Sequence, residues 1–503
     1  MSHRVIERPM YMSELEAFRD DRGHVKVLTG VRRCGKSTLL AQFVEKLRAE
    51  GVPDREMLVM NLESSDFDGI ADHSDLNAFL RGKVPKKGRF YLFLDEIQRV
   101  KDWERTVNAL MVDSEADIYV TGSNAHLLST DLTTYLTGRY VEVKMLPLSF
   151  REYMELRGNG RGPGDVFREY FECGGFPGID PAMGERAVSA MLDDLYSSIV
   201  FRDMVSRGKV RKTEELGKMV TYLMLNIGNP IGSTTMAREL HMNQRTVERY
   251  LTVAQGACMF YRADRCDLRS TALSPTPKYY VVDPGLRNNA VGMASKDRGR
   301  VLENIVYLEL RRRGYETVVG KWGSKEVDFV TEKNGRRAYW QVCLGYYDDD
   351  TETRELTPLR AIKDSNPKTV ILMDYSGDTV TRDGIRELGV TEFLLGRGPA
   401  DGSGRAPKAF RNARVMASGS SQRSDRWSDP PPHPPPGGTR SQGPATSLFK
   451  PGAEAPSSGG MPHIRTGGVE PPLRFELRAC CLQGSRTTGL CKGGLAPADC
   501  RRP

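Results

Sequence analysis

The segment from Gly30 to Ser37, GVRRCGKS, combines two glycines, a lysine and a hydroxyl at a spacing suited to holding phosphate. Gly30 and Gly35 let the backbone curl so that successive N–H groups face an anion. Lys36 adds a positive charge, and Ser37 offers an oxygen of the kind that Mg²⁺ prefers. The pattern GxxxxGK[ST] therefore predicts a site for Mg-ATP. The predicted ATP-binding residues are Gly30, Val31, Arg32, Arg33, Cys34, Gly35, Lys36, Ser37 and Thr38.

Asp95 and Glu96 form the second chemical feature, because they directly follow the apolar run RFYLFL. Strands of an open α/β sheet carry ligand-binding residues at their carboxyl ends, so this pair is predicted to face the phosphate loop. Asp95 would hold the metal ion through water, together with Ser37. Glu96 would orient and deprotonate the attacking water. The alternative is a solvated strand end without chemistry.

Ser123, Asn124 and Arg139 are further candidates. Ser123 and Asn124 end the apolar run IYVTG, whose strand is expected to neighbour both the phosphate-loop strand and the metal strand. Either side chain would polarise the water or contact the γ-phosphate, and either would equally cap the next helix. Arg139 is predicted to be an arginine finger toward a neighbouring subunit's nucleotide, or else a surface salt bridge. Asn124 and Arg139 join Glu96 in the predicted catalytic set.

The elements that must position these residues alternate in character between His24 and Met145. Five short apolar runs, VKVLT, MLVMNL, RFYLFL, DIYVTG and YVEVKML, are separated by segments with helical spacing. Apolar strands separated by helices form a parallel sheet with helices on both faces. The first run leads into Gly30, and a helical segment follows Ser37, so the loop has the context that its motif requires. The predicted fold class is α/β, a P-loop parallel sheet.

Three further units and a tail are predicted downstream. Helical spacing after Pro147 indicates a small lid. Two short helices around the turn His241 to Asn243, then strand-like FYRAD and KYYVVD, indicate a winged helix-turn-helix, with Ser233 and Asn243 as N-caps. The segment VLENIVYLELRRRGY opens an α+β unit. The predicted domains are 1–146 (nucleotide-binding core), 147–207 (lid), 208–285 (winged helix), 286–397 (α+β unit) and 398–503 (disordered tail).

Bulk composition narrows the class of protein. The chain has 503 residues, a formal net charge of +8 and nine cysteines, so several domains are expected. This positive charge is spread over the whole chain, so it permits contact with nucleic acid but does not by itself identify a binding surface. The cysteines lack zinc or disulfide spacing, and the sequence has neither a signal peptide nor a long apolar run. A cytoplasmic protein without a membrane span is expected. Residues 398–503, rich in Gly, Pro, Ser and Arg, are predicted to be disordered and to carry no chemistry.

The segments GVRRCGKST, YLFLDEIQRV, TGSNAHLLS, LTGRYVEVKMLPLSFREY and GGFP together resemble bacterial and archaeal AAA+ superfamily ATPases with a C-terminal domain of unknown function. The resemblance covers nearly all of residues 1–397. It implies a core sheet of strand order 5-1-4-3-2, a winged helix and a C-terminal domain with a restriction-endonuclease-like fold. It also assigns Walker A to Gly30, Gly35, Lys36 and Ser37, Walker B to Asp95 and Glu96, and the sensor to Ser123 or Asn124.

The α+β unit contains a degenerate form of the nuclease pattern. Glu303, Asp328 in EVDFV and Gln341 in YWQVC are similar to the helix Glu, strand Asp and [DE]xK strand that gather a divalent metal. Gln341 replaces the second carboxylate, so the negative charge that would bind the metal ion at this position is lost. Cys343 stands where the lysine belongs and does not supply its fixed positive charge. A binding or structural domain is therefore favoured over an active nuclease. The alternative for Glu303 and Asp328 is a helix-surface charge and a strand-end carboxylate.

The winged helix carries the basic residues that would contact DNA. Arg238, Arg245 and Arg249 lie on or near the candidate recognition helix and would position phosphates rather than read bases. Winged helices also bind proteins, so a protein partner or a homo-oligomer is left open. The leading hypothesis is an ATP-hydrolysing switch or motor. The others are a DNA-binding protein whose affinity ATP regulates and a metal-dependent nuclease.

Overall fold

The computed structural model describes residues 5–123, 139–206, 208–270 and 272–396. Within those ranges, the first sheet has five parallel strands in the order β2-β3-β4-β1-β5, as the family resemblance implies. They are β1 (Val25–Gly30), β2 (Met57–Asn61), β3 (Tyr91–Asp95), β4 (Asp117–Gly122) and β5 (Tyr140–Met145). The strands coincide with the five apolar runs of the sequence, and the α/β prediction is confirmed.

Helices cover both faces of this sheet. They include α1 (Pro9–Ala17), α2 (Lys36–Ala49), α3 (His73–Leu80) and α4 (Trp103–Asp113). Strands β1, β3 and β4 are buried along their whole length, as expected for parallel strands between helical layers. Val27 and Leu28 of β1 contribute to separate apolar clusters because successive side chains point to opposite faces. The polar residues at the carboxyl ends therefore lie at the rim of a buried sheet.

The segment predicted as a lid is helical. It contains α5 (Phe150–Arg157), α6 (Pro163–Cys173), α7 (Glu185–Ser198) and a π-helical segment (Ile199–Ser206) that continues α7. Helix α5 begins at a capping box, in which the Ser149 hydroxyl accepts the Glu152 N–H and the Glu152 carboxylate accepts the Ser149 N–H.

The motif GGFP joins this helical segment to the chain near Asp283. The Gly175 N–H donates to Asp283 Oδ2 at 2.6 Å, and the Leu286 N–H donates to Oδ1 at 2.9 Å. A Cβ at Gly174 would collide with the Asp283 carboxylate, and one at Gly175 would lie 2.5 Å from the Leu148 carbonyl oxygen. The two glycines thus permit a close approach that a side chain would block.

The region predicted as a winged helix contains the expected elements. They are α8 (Thr213–Leu225), α9 (Ser233–Glu239), α10 (Gln244–Gly256), β6 (Phe260–Asp267) and β7 (Leu273–Val281). Asn243 caps α10 as predicted, since its side-chain oxygen accepts the Arg245 N–H at 2.9 Å. The prediction for Ser233 is wrong. Gly232 is the N-cap residue of α9, and the Ser233 hydroxyl instead donates to Glu248 Oε1 of α10 at 3.0 Å.

A second, mixed sheet contains eight strands among the described residues. Its order is β12-β13-β11-β10-β9-β8-β6-β7, and β6 pairs in parallel with β8. The further strands are β8 (Glu316–Trp322), β9 (Lys325–Lys333), β10 (Arg336–Cys343), β11 (Lys368–Leu372), β12 (Asp378–Val380) and β13 (Arg386–Gly389). The accompanying helices are α11 (Pro284–Val291), α12 (Arg298–Arg312), α13 (Asp349–Ala361) and α14 (Val390–Leu394). The predicted boundary between residues 285 and 286 therefore falls between strands of one sheet.

One apolar core runs through most of these elements. It includes Phe43 of α2, Phe150 of α5, Leu251 of α10 and Trp340 of β10. Asn124 and the predicted tail, residues 398–503, lie outside the described residues. Across the described part of the chain, every helix is too short or too polar to span a membrane.

Candidate functional site

The phosphate loop connects β1 to α2 and depends on two glycines. Gly30 has a φ of 148°, and a Cβ there would collide with the Met145 carbonyl oxygen on β5. Gly35 has a φ of 104° and is the N-cap residue of α2. Both backbone conformations are disfavoured for residues with a side chain. The glycine spacing of the motif therefore has a direct conformational cause in this fold.

Lys36 lies in the first turn of α2 and is almost fully buried. Its Nζ donates to the carbonyl oxygens of Gly30 and Val31, at 3.1 and 3.2 Å. A buried ammonium gains more from an anion than from neutral carbonyl groups. The N-terminus of α2 adds N–H groups that have no acceptor within the helix, and it adds the positive end of the helix dipole. These features fit a phosphate group seated at the loop.

Asp95 and Glu96 leave β3 beside this loop, and Thr121 of β4 holds both. The Thr121 hydroxyl donates to Asp95 Oδ1, while the Glu96 N–H donates to Thr121 Oγ1 at 3.0 Å. Glu96 has a φ of 55°, which turns the chain sharply after the strand. Burial raises the pKa of Glu96, and the nearby Lys36 ammonium opposes that rise. Glu96 is thus a partly desolvated carboxyl group within electrostatic reach of Lys36.

The oxygen donors at this rim suit a divalent cation. The hydroxyl of Ser37 is exposed at the start of α2, next to the equally exposed Thr38, and the buried Asp95 carboxylate ends β3. Hydroxyl and carboxylate oxygens are the hard ligands that Mg²⁺ accepts while keeping several waters. The residues assigned to the metal therefore fit it chemically.

Asp203 also belongs to this site, although sequence analysis did not identify it. It lies in the π-helical segment, and its Oδ1 accepts the Ser123 hydroxyl at 3.2 Å. Its Oδ2 accepts Arg32 Nε from the phosphate loop at 3.3 Å. The available signal was one carboxylate inside the apolar stretch IVFRDMV, which does not reveal its partners.

Arg8 is a second residue that sequence analysis did not identify, and it contacts the backbone of the phosphate loop. Its Nη1 donates to the Cys34 carbonyl oxygen at 3.0 Å. Its Nε and Nη2 donate to the two Glu152 oxygens at 3.0 and 2.9 Å. Burial raises the pKa of Glu152, but Arg8 and Arg312 outweigh burial and hold that pKa below its usual value. The buried, bidentate pair of Arg8 and Glu152 therefore holds the phosphate loop at the Cys34 carbonyl group.

Arg33 points away from this network. Its Nη1 lies 2.7 Å from Asp194 Oδ2 of α7, and both side chains are more than half exposed. A cavity of about 340 Å³ adjoins the pair. Its lining includes Phe176, Ile179, Met191 and Leu195. An apolar hollow thus lies beside the phosphate loop.

Arg139 lies at the opposite end of the sheet from the phosphate loop. The Val25 N–H at the start of β1 donates to the Arg139 carbonyl oxygen at 2.9 Å. Gly30 is five residues further along β1, or roughly 16 Å away. Arg139 is exposed there, at the end of the strand that is remote from the phosphate loop of its own chain. A role toward a neighbouring subunit stays a prediction.

The nuclease-like residues converge in the second sheet. Asp328 Oδ2 accepts the Val342 N–H at 2.8 Å, and the Asp328 N–H donates to Gln341 Oε1 at 3.4 Å. Glu303 on α12 is 9% exposed, which excludes the alternative of a helix-surface charge. Burial raises the pKa of Asp328 well above its ordinary value, and Glu303 adds to this rise.

Lys278 of β7, which sequence analysis missed, supplies the positive charge of this cluster. Its Nζ lies 2.9 Å from Glu303 Oε1 and 2.6 Å from Glu326 Oε1. The Tyr280 hydroxyl also donates to Glu303 Oε1, at 2.6 Å. Among the described residues, no group of three or more His, Cys, Asp or Glu side chains is arranged to hold a metal ion. The geometry is that of a buried ion-pair network built around an ammonium group.

The three arginines predicted to contact DNA differ in their surroundings. Arg238 is exposed and lies 3.6 Å from Glu239, and Arg245 is exposed at the start of α10. Arg249 Nη2 donates to the carbonyl oxygens of Gly208 and Lys209, at 2.9 and 3.0 Å. Arg249 therefore also has a structural role.

Comparisons with known proteins identify an AAA domain in the part of the chain that forms the first sheet. Residues 22–154 match the family model of an AAA domain, and residues 164–297 match a domain of unknown function. An uncharacterized protein of Methanocaldococcus jannaschii is 29% identical over 384 residues, which cover 71% of this chain and 84% of that protein.

Two solved structures align at low scores. The ORC1 protein of Aeropyrum pernix in complex with DNA gives a TM-score of 0.25 at 11% identity, over 57% of this chain and 93% of its own. A Vibrio cholerae protein gives a TM-score of 0.16 at 12% identity, over 74% of this chain and 95% of its own. Scores this low support no argument about this chain.

The family follows instead from a relative in Haemophilus influenzae, an uncharacterized protein. It is 37% identical over 405 residues, which cover 78% of this chain and 100% of that protein. Because the alignment covers the whole of that relative, and because this chain itself matches an AAA domain and a domain of unknown function, the chain belongs to the same family of AAA-domain proteins with a downstream domain of unknown function.

Proposed function

We propose that this protein is a Mg²⁺-dependent ATP hydrolase that uses hydrolysis to rearrange its downstream helices and second sheet. The observation that carries the proposal is the convergence of Lys36 and Glu96 at the rim of the first sheet. Burial raises the pKa of Glu96, and Lys36 is close enough to oppose the shift. A phosphate-binding ammonium and a desolvated carboxyl group that close together suit phosphoryl transfer to water.

Different residues of the site bind the phosphates, bind the metal ion and transfer the proton. The loop from Gly30 to Thr38 binds the phosphates, and Lys36 neutralises charge on the β and γ phosphates. A Mg²⁺ ion held by Ser37 and Asp95 would stabilise the charge that develops on the transferred phosphoryl group. Glu96 would accept a proton from the attacking water as its oxygen bonds to the γ-phosphorus atom, while the bond from that atom to the β–γ bridging oxygen breaks and ADP leaves.

Two substitutions test the proposal. Lys36→Ala is expected to abolish ATP binding, because the buried cation is lost. Glu96→Gln is expected to keep ATP binding and to lower the hydrolysis rate by about 10²-fold or more, as for removal of a general base. Equilibrium binding of labelled ATP with Mg²⁺ and a phosphate-release assay measure these quantities. Hydrolysis by Glu96→Gln at the parent rate would refute the catalytic assignment.

A second candidate is a DNA-binding protein whose affinity ATP regulates. It is favoured by the exposure of Arg238 and Arg245 on consecutive short helices that precede a β-hairpin. Contacts to phosphates release counterions, so duplex binding would weaken steeply with salt. A salt titration with and without ATP, on the parent and on Arg245→Gln, tests this. Absence of duplex binding at low salt would remove the candidate.

A further inference from the structure

Asp203 is a buried carboxylate in the nucleotide site that neither phosphate binding nor water activation requires. Its side chain is 0% exposed, and that of Arg32, its partner in the phosphate loop, is 15% exposed. An isolated buried carboxylate is costly, so its two polar contacts with the site are energetically important. They link the π-helical segment to both the phosphate loop and the end of β4.

The position of these contacts relates Asp203 to the γ-phosphate. Strand β4 pairs with β1 on one side and with β3 on the other. Ser123 therefore follows a strand end that lies between the phosphate loop and the pair Asp95 and Glu96. Under the proposed function, the γ-phosphate arrives in this gap, between Lys36 and the attacking water.

A γ-phosphate at that place would compete with Asp203. Asp203 accepts hydrogen bonds from the Arg32 guanidinium and the Ser123 hydroxyl, and a γ-phosphate, which is also an anion, would accept from the same two donors. In the described geometry Arg32 is shared between Asp203 and Glu63, whose Oε1 lies 3.9 Å from Arg32 Nη1. ADP, which lacks the γ-phosphate, would leave these contacts undisturbed.

We propose that Asp203 is a positioning residue that senses the γ-phosphate, because it holds Arg32 and Ser123 until a γ-phosphate competes for them and displaces it. This inference rests on the proposed binding of ATP. Displacement moves a carboxylate in the segment Ile199–Ser206, which continues α7 and precedes α8, the first helix of the predicted winged helix. π-Helical geometry is rare and is frequently found at functional sites. The state of the nucleotide is thereby transmitted to the downstream helices.

The first experiment measures the affinities for Mg-ATP and Mg-ADP by equilibrium titration, with Glu96→Gln as the background to prevent turnover. Asp203→Asn is expected to raise the ratio of ATP to ADP affinity by about tenfold, because it removes the competing charge and frees Arg32. Arg32→Gln is expected to lower the same ratio. A purely structural role of the pair would change both affinities together and could not give opposite signs.

Asp194→Asn is the matched control. It removes a carboxylate of the neighbouring helix α7 that pairs with the adjacent loop residue Arg33, but that pair is exposed. Exposed pairs are weak, so the affinity ratio is expected to stay at the value of the background protein.

The second experiment follows hydrogen exchange in residues 199–206. In the Glu96→Gln background, exchange is expected to be faster with Mg-ATP than with Mg-ADP, and Asp203→Asn should remove this difference. If the background protein binds neither nucleotide, the proposed function itself fails. If it binds both, yet Asp203→Asn and Arg32→Gln leave the affinity ratio and the exchange difference unchanged, the role of Asp203 is refuted while ATP binding stands.

Discussion

Thr121 shows how one buried side chain sets the geometry of two functional carboxyl groups. Its hydroxyl donates to Asp95, while its oxygen accepts the Glu96 N–H. The oxygen therefore fixes the Asp95 carboxylate and the turn that presents Glu96, the proposed base. Sequence analysis identified both carboxyl groups from their place after an apolar strand, but it did not identify Thr121, which lies within the next buried strand.

We predict that Thr121→Val will slow ATP hydrolysis. Valine keeps the shape but loses both hydrogen bonds, so the two carboxyl groups lose their mutual alignment. The expected decrease in kcat is about tenfold, equivalent to about 1.4 kcal/mol. Thr106→Val is the matched control, because its buried hydroxyl donates to the His73 carbonyl oxygen away from the site. Equal kcat values for the two variants would contradict the role of Thr121.

The raised pKa of Glu96 predicts the acid limb of the pH–rate profile. A base must be deprotonated, and burial keeps Glu96 protonated to a higher pH than an ordinary glutamate. The rate should therefore fall as the pH drops through a midpoint above about 4.3, the usual value for glutamate. Steady-state kcat/KM measured from pH 4 to 8 checks this expectation, because that parameter reports the ionisation of the protein before it binds substrate. A residual Glu96→Gln rate that shows the same acid limb would assign that limb to another group.

At the scale of elements, the glycines of the motif GGFP are explained by a contact with a residue that is distant in the sequence. Gly174 and Gly175 admit the Asp283 carboxylate, which also caps α11. In the sequence the two glycines directly follow the helical segment DVFREYFEC. Their spacing could not show that a carboxylate 108 residues away from Gly175 would lie against them.

We predict that Gly175→Ala will destabilise the protein by about 1–3 kcal/mol, the usual cost of overpacking. The added Cβ would lie 2.5 Å from the Leu148 carbonyl oxygen and 3.0 Å from the Tyr170 ring. Gly178→Ala is the matched control, because nothing lies within 4 Å of a Cβ there. Thermal unfolding midpoints compare the two variants. Similar midpoints would mean that the loop adapts to the added methyl group.

The ion-pair network of the second sheet depends on Lys278. Burial lowers its pKa, but Glu303, Asp328 and Glu326 outweigh burial and raise that pKa overall. Lys278→Met is expected to destabilise the protein by about 3–5 kcal/mol, since it leaves buried carboxyl groups without their cation. Denaturant unfolding measures the loss. Lys218→Met, which breaks an exposed pair with Glu214, should change stability by less than about 0.5 kcal/mol.

The pH dependence of the free energy of unfolding distinguishes the loss of the Lys278 charge from the loss of side-chain packing. Without the ammonium, the pKa of Asp328 rises further, so the native state retains its proton to a higher pH than the unfolded chain does. The free energy of unfolding of Lys278→Met should then fall as the pH rises and recover toward the parent value in acid. A deficit that is independent of pH would indicate packing alone.

At the scale of the whole molecule, the described residues share cores across the predicted domain boundaries. The hairpin β6–β7 was predicted as a wing, and it pairs with β8 of the next predicted domain. Arg312 of α12 donates to the Pro147 carbonyl oxygen at 2.9 Å, directly after the first sheet. Such contacts give the downstream region a direct mechanical connection to the nucleotide-binding unit.

We predict that residues 286–396 will not fold as an isolated fragment. The fragment would lack β6, which is one of the two strands that pair with β8, and it would lack the Lys278 cation. It would therefore have an open sheet edge and buried carboxyl groups without their cation. Residues 1–396 are expected to unfold cooperatively, near the thermal midpoint of the full chain. Circular dichroism and thermal melts compare the two. A cooperative transition in the shorter fragment would support the boundary at residue 286.

The sequence by itself determined the features that depend on local order. The phosphate loop, the Asp95–Glu96 pair, the five strands of the first sheet and the Asn243 cap all follow from residue type and short-range spacing. Strand ends, turns and caps are governed by neighbouring residues, so a linear pattern contains the needed information.

The tertiary structure alone decided which distant residues meet. Arg8 pairs with Glu152 across 144 residues, Asp203 reaches the phosphate loop across 171, and Lys278 enters the nuclease-like cluster from another strand. Register likewise placed Arg139 at the far end of β1. The physical reason is that a buried charge is stable only beside a partner, and which partner is adjacent depends on strand order and helix packing rather than on position along the chain.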